Sequence, residues 1–381
     1  MLRYPAALAL CILPWLWLIG PAAAAETDAP ASANETASAD EPLTLDSEVR
    51  LPEGLFPDDL GAAGPAVIEA PSIAVNPPAR LTPPPLDQLT IMLDWFPSPQ
   101  HAPLLIAEAR GLYRKQGLNV TLKPPADPSL PAKLLAAGEV DAALARQPLL
   151  HLRNHDDAEL VRIATLTEKG LNAAIVTGDP PPEDLASLAT LTQGYTTREG
   201  ADLIVPLLVP DSVRQADDHE PARNVHYEGE RKLQDGDISV VADGFYHTLP
   251  AQLSTDGMDA RVVPYEELGI PRHDGLVLMV KEDTLERRKT TWQHLDIALE
   301  QAAGWIADDP ERAWQTLIEA YPVLDNSANK AAWPDIVRHM ALRPAAVDNR
   351  RYQRLEAFLK ERGISETRLP TRALAVDPHA L

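Results

Sequence analysis

The sequence predicts an α/β protein with two α/β lobes joined by a hinge and a C-terminal helical extension. From Leu86 onward, short apolar runs alternate with amphipathic stretches, which is typical of βαβ units around a mostly parallel sheet. After Glu282 the strand-like runs stop and only helical patterns follow. The segment 87–381 is also long enough for two lobes by the usual size of protein domains.

The elements follow from these patterns in order. Strands are predicted near residues 88–94, 118–123, 140–145, 160–166, 172–177, 189–194, 223–227, 238–242, 260–264 and 274–281. Helices are predicted in the gaps, notably at 102–116, 129–137, 199–207 and 245–254, and then at 284–307, 310–320, 327–341 and 348–362. Asp309-Pro310 supplies a cap and a first-turn proline for one helix, and Gly363 follows the last.

The order of the elements also predicts a division into lobes. The chain is expected to enter a second lobe near residue 180 and to return near residue 270. The first lobe then consists of residues 87–180 and 270–381, and the second of residues 181–269. Two crossovers of this kind predict a hinged clamp that closes on a ligand.

Residues 1–25 have the pattern of a secretory signal peptide. Arg3 precedes the apolar run 6–19, and small residues follow it up to position 25. The run is shorter than the roughly 20 residues that span a membrane. We therefore expect export to the periplasm with cleavage near 23–25, and an uncleaved N-terminal anchor is the alternative. Cys11 follows Leu10, where a lipid-attachment site requires a small residue, so a lipoprotein is not expected.

Residues 26–86 are predicted to be a disordered tether. They contain 11 prolines, 11 acidic residues, 2 basic residues and 1 aromatic residue. A segment of this composition cannot bury enough apolar surface to fold by itself. The alternative is that its apolar patches at 67–68 and 73–75 dock on the folded body.

Composition excludes several functions. The net charge of −22 argues against a nucleic-acid partner, whose phosphates require a basic face. Cys11 is the only cysteine, so the chain after the leader has no disulfide, no thiolate nucleophile and no cysteine-ligated metal. The chain contains no Gly-x-Ser-x-Gly, no His-Glu-x-x-His and no Gly-rich phosphate loop. We expect no catalytic residue, no metal and no cofactor, and a monomer that binds a small molecule.

Polar and aromatic side chains follow four predicted strands. The carboxyl ends of strands in open α/β sheets are where ligands bind, so these groups predict a binding cleft. The candidate ligand-binding residues at these ends are Asp94, Trp95, Ser98, His101, Gln147, Tyr195, Thr196, Asp243 and Tyr246.

Several of these residues have a structural alternative. His101 is placed to bind a ligand or to cap the helix that begins at Ala102-Pro103. Strand alternation predicts that Trp95 faces the cleft while Phe96 is buried. Thr196 and its neighbour Thr197 either hold an anionic ligand group at a helix N-terminus or act as ordinary N-caps. His151 and His155 are four residues apart, a spacing that suits a metal, but a solvated helix end is the expected explanation.

A set of motifs covers residues 87–364 in order and resembles a known family. The motifs are Leu93-Asp-Trp-Phe-Pro-Ser-Pro-Gln-His-Ala-Pro103, Ala107-Glu-Ala-Arg-Gly-Leu-Tyr113, Gln116-Gly-Leu118, Pro124-Pro-Ala-Asp-Pro128, Leu135-Ala-Ala-Gly-Glu-Val-Asp141, Gln147-Pro148, Gly194-Tyr195, Leu268-Gly-Ile-Pro271 and Asp309-Pro-Glu-Arg-Ala-Trp314. They resemble the substrate-binding proteins that deliver thiamine-pyrimidine precursors to ABC importers, and the related hydroxymethylpyrimidine-phosphate synthases.

The resemblance implies a type II periplasmic-binding fold, with Trp95, Ser98 and His101 facing Tyr195 and the segment 243–246 across the cleft. Close members often have asparagine or threonine where Ser98 stands, and a glutamate near the position of Tyr246, where this chain reads Phe-Tyr-His-Thr. Asp243 or Asp274 is the candidate carboxylate to replace that glutamate.

The predicted function is a periplasmic solute-binding protein that captures a thiamine-pyrimidine precursor or similar heteroaromatic compound for an inner-membrane ABC permease. The alternative within the binding class is a sulfonate- or nitrate-type anion binder, which is favoured if Thr196, Thr197 and Arg198 face the cleft. Outside the transport class, the same fold would suit a synthase-like enzyme or a periplasmic sensor. The synthases resemble this chain but carry a cysteine-rich segment, and their sacrificial histidine aligns near Leu149.

Overall fold

The computed structural model describes residues 85–216 and 220–381, which contain two five-stranded sheets. The predicted signal segment 1–25 and the tether up to residue 84 lie outside the described residues. The described residues belong to one compact unit. Within the described ranges, no helix is both long enough and apolar enough to cross a membrane.

The first sheet has the strand order β2-β1-β3-β10-β4. β1 pairs in parallel with β2 and β3, whereas β10 runs antiparallel to β3 and β4. β3 and β4 are buried along their whole length, which explains their mostly apolar sequences. The strands are β1 Asp87–Met92, β2 Leu118–Lys123, β3 Ala142–Arg146, β4 Leu160–Thr165 and β10 Leu276–Lys281.

The second sheet repeats this arrangement with the order β7-β6-β8-β5-β9. Its parallel pairs are β6 with β7 and β6 with β8, and β5 is antiparallel to both β8 and β9. The strands are β5 Asn172–Thr177, β6 Gln193–Tyr195, β7 Arg223–Asn224, β8 Val240–Phe245 and β9 Ala260–Pro264. The ten strands predicted from the sequence are therefore confirmed, with the largest difference at β6, which begins at Gln193 and not at 189 because residues Ala186–Thr190 form a 3-10 helix.

The helices cover both sheets and form the C-terminal extension. Between the strands lie α1 Ala102–Ala109, α2 Leu112–Lys115, α3 Leu130–Ala136, α4 Gln147–Asn154, α5 Val205–Leu208, α6 Asp211–Arg214, α7 Gly229–Gln234 and α8 Leu249–Thr255. After β10 follow α9 Lys289–Asp308, α10 Pro310–Ala320, α11 Ser327–His339 and α12 Asn349–Glu361. The main core packs α1, α9 and α10 against the first sheet, with Trp292 and Trp314 fully buried.

The chain passes from the first sheet to the second between β4 and β5. β4 belongs to the first sheet and β5 to the second, so the change of sheet occurs within residues 166–171. The return occurs between Pro264 at the end of β9 and Leu276 at the start of β10, close to the predicted residue 270. The two connections lie side by side, since the amide of Gly275 donates to the carbonyl of Thr167 at 2.8 Å.

Candidate functional site

A cavity of about 290 Å³ lies at the carboxyl end of β1, between the turn that follows this strand and the second sheet. The C-terminal extension, around the start of α11, also contributes to the wall of this cavity. Its lining residues are Trp95, Phe96, Pro97, Ser98, Thr196, Tyr227, Gly229, Glu230, Val241, Asp243, Gly244, Phe245, His247, Thr248, Leu249, Gln252, Val323, Leu324, Asn326 and Asn329.

Aromatic rings from both sides of the cavity contact one another. The Trp95 ring centroid lies 4.6 Å from that of Tyr227 and 5.4 Å from that of Phe245, with nearly perpendicular planes in both pairs. Phe96 also contacts Tyr227, with centroids 4.6 Å apart. The hydroxyl of Tyr227 donates to the carbonyl of Pro125 at 2.7 Å, so this ring is held by the first half of the chain as well. The two pairs that Trp95 makes are thus edge-to-face, one of the geometries that aromatic side chains prefer.

His101 holds the turn after β1 in place by hydrogen bonds to Ser98 and Asp94. His101 is fully buried, and its Nδ1 accepts from the amide of Ser98 at 3.1 Å. The other ring nitrogen, Nε2, lies 2.7 Å from Asp94 Oδ1 and donates to it. His101 therefore supports the turn that presents Trp95 and Ser98, and its side chain makes no capping hydrogen bond to α1.

Both Trp95 and Phe96 line the cavity, although strand alternation predicted opposite directions for them. The prediction of a buried Phe96 was wrong because β1 ends at Met92, and residues 94–97 form bends to which the alternation of a strand does not apply. Phe96 is 50% exposed and forms part of the rim of the cavity.

Asp243, on β8, has its carboxylate oxygens occupied by the neighbouring segment. Oδ1 accepts from the amide of Thr196 at 2.8 Å. Oδ2 accepts from the hydroxyl of Thr196 and from the amide and hydroxyl of Thr197, all at 2.8 to 2.9 Å. Four hydrogen bonds from Thr196 and Thr197, three of them to Oδ2, therefore fix the carboxylate of Asp243 in the cavity wall.

Arg146, at the end of β3, links the first sheet to Asp243 of the second sheet and to the segment 197–199. It ends β3 in the first sheet, and its Nη2 donates to the hydroxyl of Thr197 at 3.0 Å. Its Nε lies 2.8 Å from Glu199 Oε2, and its Nη2 lies 3.7 Å from Asp243 Oδ2. Burial opposes the charge on Arg146, but Glu199 and Asp243 raise the pKa of its guanidinium above the ordinary value.

Glu199 is fully buried, and desolvation raises the pKa of its carboxyl to about 7, although Arg146 opposes the shift. Folded Glu199 binds a proton more tightly than the unfolded chain does. Its contribution to stability is therefore fully present below about pH 4.5 and is lost as the pH rises through about 7. We expect the difference in the free energy of unfolding between the wild type and Glu199→Gln to decrease as the pH rises from about 4.5 to about 7.

Urea unfolding of the wild type and of Glu199→Gln across this pH range measures the difference. The subtraction removes the contribution of the histidines, because both proteins contain them. Glu319→Gln, at an exposed position of α10, is the matched control and should show no such slope. A difference that stays flat or rises with pH would contradict the assignment.

Besides Asp94 and His101 beneath the turn, four of the predicted residues lie outside the wall of this cavity. Gln147 is fully buried and accepts from the amide of Asp274 at 2.6 Å. Tyr195 packs against the core of the second sheet. The hydroxyl of Tyr246 donates to Asp335 at 2.9 Å, and burial together with Asp335 raises the pKa of this phenol.

Asp274, the fourth, lines a different cavity, of about 750 Å³, at the start of α12. Its carboxylate is paired with Arg351 and accepts from the hydroxyl of Thr165 at 3.1 Å and from that of Tyr352 at 3.4 Å. Of the two candidate carboxylates, Asp243 lines the cavity at the end of β1 and Asp274 does not.

The solvated helix end predicted for His151 and His155 was also wrong. His151 is fully buried on α4, and its Nδ1 lies 2.6 Å from Glu356 Oε1. His155 Nε2 lies 3.1 Å from the other oxygen, Oε2, of the same carboxylate. Burial lowers the pKa of His151. The sequence could not show this, because α12, which carries Glu356, is about 200 residues away along the chain.

Several lining residues were missed from the sequence. Phe245 follows Asp243 by two positions within β8, so the period of a strand places both on the cavity side, whereas His247 lies in the turn after the strand. That alternation was a usable signal. No comparable signal marked Tyr227, which follows a strand of only two residues, or the residues of the C-terminal extension.

The fold is that of the periplasmic solute-binding proteins. The chain superposes on the alkanesulfonate-binding protein of Xanthomonas axonopodis pv. citri with a TM-score of 0.57 at 15% identity, over 77% of this chain and 99% of the other. The profile of the family described as NMT1/THI5 like matches residues 98–313, more than half of the chain. The protein therefore belongs to the NMT1/THI5-like family, as its motifs predicted.

Relatives in this family have names connected with pyrimidines or thiamine. A Haemophilus influenzae protein named for thiamine biosynthesis is 29% identical over 76% of this chain and 92% of its own length. The formylaminopyrimidine-binding protein of Halalkalibacterium halodurans is 26% identical over 61% and 70% of the two chains. A 4-amino-5-hydroxymethyl-2-methylpyrimidine phosphate synthase of Saccharomyces cerevisiae is 23% identical over 63% and 73%. The predicted resemblance to both branches is confirmed.

Proposed function

We propose that this protein binds a small, uncharged heteroaromatic compound of the thiamine-pyrimidine class in the periplasm and delivers it, as a monomer, to an inner-membrane ABC permease. It catalyses no reaction in this role. The observation that carries the proposal is the wall of the cavity at the end of β1. Four aromatic rings line it, and no lysine or arginine does so among the described residues.

The size and chemistry of the cavity support a single-ring ligand. A volume of about 290 Å³ is at the small end of ligand pockets. The faces of Trp95, Tyr227 and Phe245 supply stacking area at low entropic cost. The names of the relatives point in the same direction, since one of them is a formylaminopyrimidine-binding protein.

An anionic ligand is disfavoured because the groups that would bind it already pair with residues of this chain. The hydroxyls of Thr196 and Thr197 both donate to Asp243. Arg198 is paired with Asp202 and Asp156 and is not part of the cavity wall. The one carboxylate in that wall without an ion-pair partner among the described residues is Glu230, which would repel a sulfonate or nitrate.

The synthase alternative receives no support from the histidines near the position that the resemblance implies. Leu149 is buried in a hydrophobic cluster, and His151 is bound to Glu356 away from the cavity. Incubation of the protein with pyridoxal phosphate and iron, followed by a product assay, tests this alternative directly. Formation of hydroxymethylpyrimidine phosphate would overturn the non-enzymatic role.

The proposed mechanism is closure of two lobes on the ligand. The sequence predicts lobes of 87–180 and 270–381 against 181–269. Because the strand 172–177 belongs to the second sheet, we move the first boundary of the proposed lobes to residues 166–171. Trp95 and Ser98 come from the first lobe, whereas Tyr227 and Phe245 come from the second, so a ligand in the cavity would be held by both. A signal peptide in residues 1–25 would bring the protein to the periplasm.

Calorimetry of the purified protein with hydroxymethyl- and formylaminopyrimidines tests the proposed function. We expect binding of at least one of these compounds and none of alkanesulfonates or nitrate. The reverse result, with heat from the anions alone, would replace the proposal by the anion-binding alternative.

Trp95→Ala is expected to weaken binding of the pyrimidine at least tenfold, because a buried aromatic anchor contributes about 2 kcal/mol or more. Trp305→Ala is the matched control. Trp305 lies under the guanidinium of Arg110, 4.0 Å from the ring centroid, and outside the cavity wall, so its loss should leave the affinity unchanged. Equal affinities of the Trp95 variant and the wild type would place the ligand elsewhere.

A further inference from the structure

Glu230 is the carboxylate of the cavity wall that has no cation beside it. It lies in the first turn of α7, partly buried, and it has no hydrogen bond or ion pair with another described residue. Asp243, the other carboxylate in this wall, has Arg146 Nη2 3.7 Å from its Oδ2. Glu230 is therefore the acidic group of the wall that a ligand can use as a partner.

The backbone around Glu230 is held against the second sheet. Gly229 packs so closely on β8 that a Cβ there would lie 3.4 Å from the side chain of Val241. Leu233, one turn further along α7, is buried in the same hydrophobic cluster as Val241. Tyr227, three residues before Glu230, also lines the cavity. One anchored segment thus supplies an aromatic ring and a carboxylate to the same site, an arrangement that suits a flat ligand with a polar edge.

The charge of Glu230 is poorly compensated in the folded protein. Burial raises the pKa of its carboxyl, and the charge of Asp256 adds to this shift. Closure of the lobes on a ligand would remove more water from the carboxylate and increase the cost of its charge. A ligand N–H group that donates to the carboxylate would offset this cost, because hydrogen bonds to ionised groups are roughly twice as strong as neutral ones. An anionic substituent at the same place would increase it.

We propose that Glu230 determines ligand specificity by accepting a hydrogen bond from an amino group attached to the heteroaromatic ring of the ligand. This inference rests on the proposed function, because it concerns the ligand of the same cavity. The aromatic side chains of the wall contact the ring of the ligand, whereas Glu230 recognises a donor at its edge. The carboxylate comes from α7 and not from the segment around Tyr246, where close members of the family often have a glutamate.

The test compares two probes that differ only in the amino group. They are 4-amino-5-hydroxymethyl-2-methylpyrimidine and 5-hydroxymethyl-2-methylpyrimidine, measured by calorimetry on the full chain. We expect the wild type to prefer the amino compound about tenfold or more, since a hydrogen bond to a charged group contributes at least this much. In Glu230→Leu the two affinities should be within about threefold of each other, because no acceptor remains.

Glu228→Leu is the matched control, because it removes the same charge two residues away. Glu228 is exposed, pairs with Arg231 at 2.8 Å and is not part of the cavity wall, so this variant should keep the preference of the wild type. Binding of the compound without the amino group by Glu230→Leu, at least as tight as in the wild type, shows that this variant is folded. If it does not fold, Glu230→Gln decides, and its preference should be smaller than that of the wild type.

The outcomes distinguish this inference from the proposed function. A wild type that binds both probes equally, or a folded Glu230 variant that keeps the full preference, overturns the role of Glu230 and leaves the proposed function in place. Loss of the preference in Glu228→Leu as well would assign the effect to net charge and also overturn this role. A wild type that binds neither probe overturns both proposals.

Discussion

Arg146→Met is expected to lower the free energy of unfolding by about 3–5 kcal/mol at pH 8, because it leaves two buried acids without their cation. Glu199 is fully buried and lies 2.8 Å from the Nε of Arg146. Asp243 is 2% exposed and loses the positive charge 3.7 Å from its Oδ2. Urea unfolding of the variant and the wild type measures the loss.

Arg287→Met is the matched control, because the pair of Arg287 with Asp283 is 3.0 Å long but lies on the surface, with side chains 67% and 59% exposed. Exposed pairs contribute about 1 kcal/mol or less, so this variant should change little. The double variant Arg146→Met with Glu199→Gln should recover part of the stability, because it removes the uncompensated carboxylate. A loss of less than about 1 kcal/mol in Arg146→Met would show that the buried network contributes little.

Gly275→Ala is expected to destabilise the protein by about 3 kcal/mol or more, because overpacking against rigid backbone has no cheap relaxation. A Cβ at this position would overlap the carbonyl oxygen of Lys169 and the hydroxyl of Thr167, and would lie 2.7 Å from the carbonyl carbon of Lys169. The residue sits where the two connections between the sheets run side by side. The variant should therefore also change ligand affinity, if these connections act as the hinge.

Gly304→Ala is the control for this substitution. Gly304 lies within α9, and a Cβ there would meet no heavy atom within 4 Å. Replacing a helical glycine by alanine stabilises by about 0.5–1 kcal/mol. Thermal unfolding of both variants measures the contrast, and a Gly275→Ala variant as stable as Gly304→Ala would mean that the two connections separate easily.

The elements of the fold were predictable because their signals are local. β3, β4 and β5 are short, fully buried apolar runs, and such runs bounded by polar turns predict strands. The helix α10 begins where Asp309 accepts from the amide of Arg312, at the cap that the sequence indicated. The place where the chain changes sheets was harder to predict, since β4 and β5 are equally apolar and only six residues apart.

The site was predictable in part. Trp95, Ser98, Thr196 and Asp243 all line the cavity, because each lies at or after the carboxyl end of a strand of the first or the second sheet, where open α/β sheets bind ligands. The sequence did not show whether a polar group there is free or already used. Asp243 is hydrogen-bonded within the chain, whereas Glu230 has no partner among the described residues. That distinction depends on contacts between segments that are distant along the chain.

The sequence by itself determined that this is an α/β chain with ten strands, a helical C-terminal extension and the motifs of its family, since periodicity, caps and motifs are properties of neighbouring residues. Only the tertiary structure decided which groups meet. It joined Arg146 to Glu199 across two sheets, placed Asp274 in a separate cavity, and brought Tyr227 to Trp95. These pairings depend on long-range packing, which no local pattern encodes.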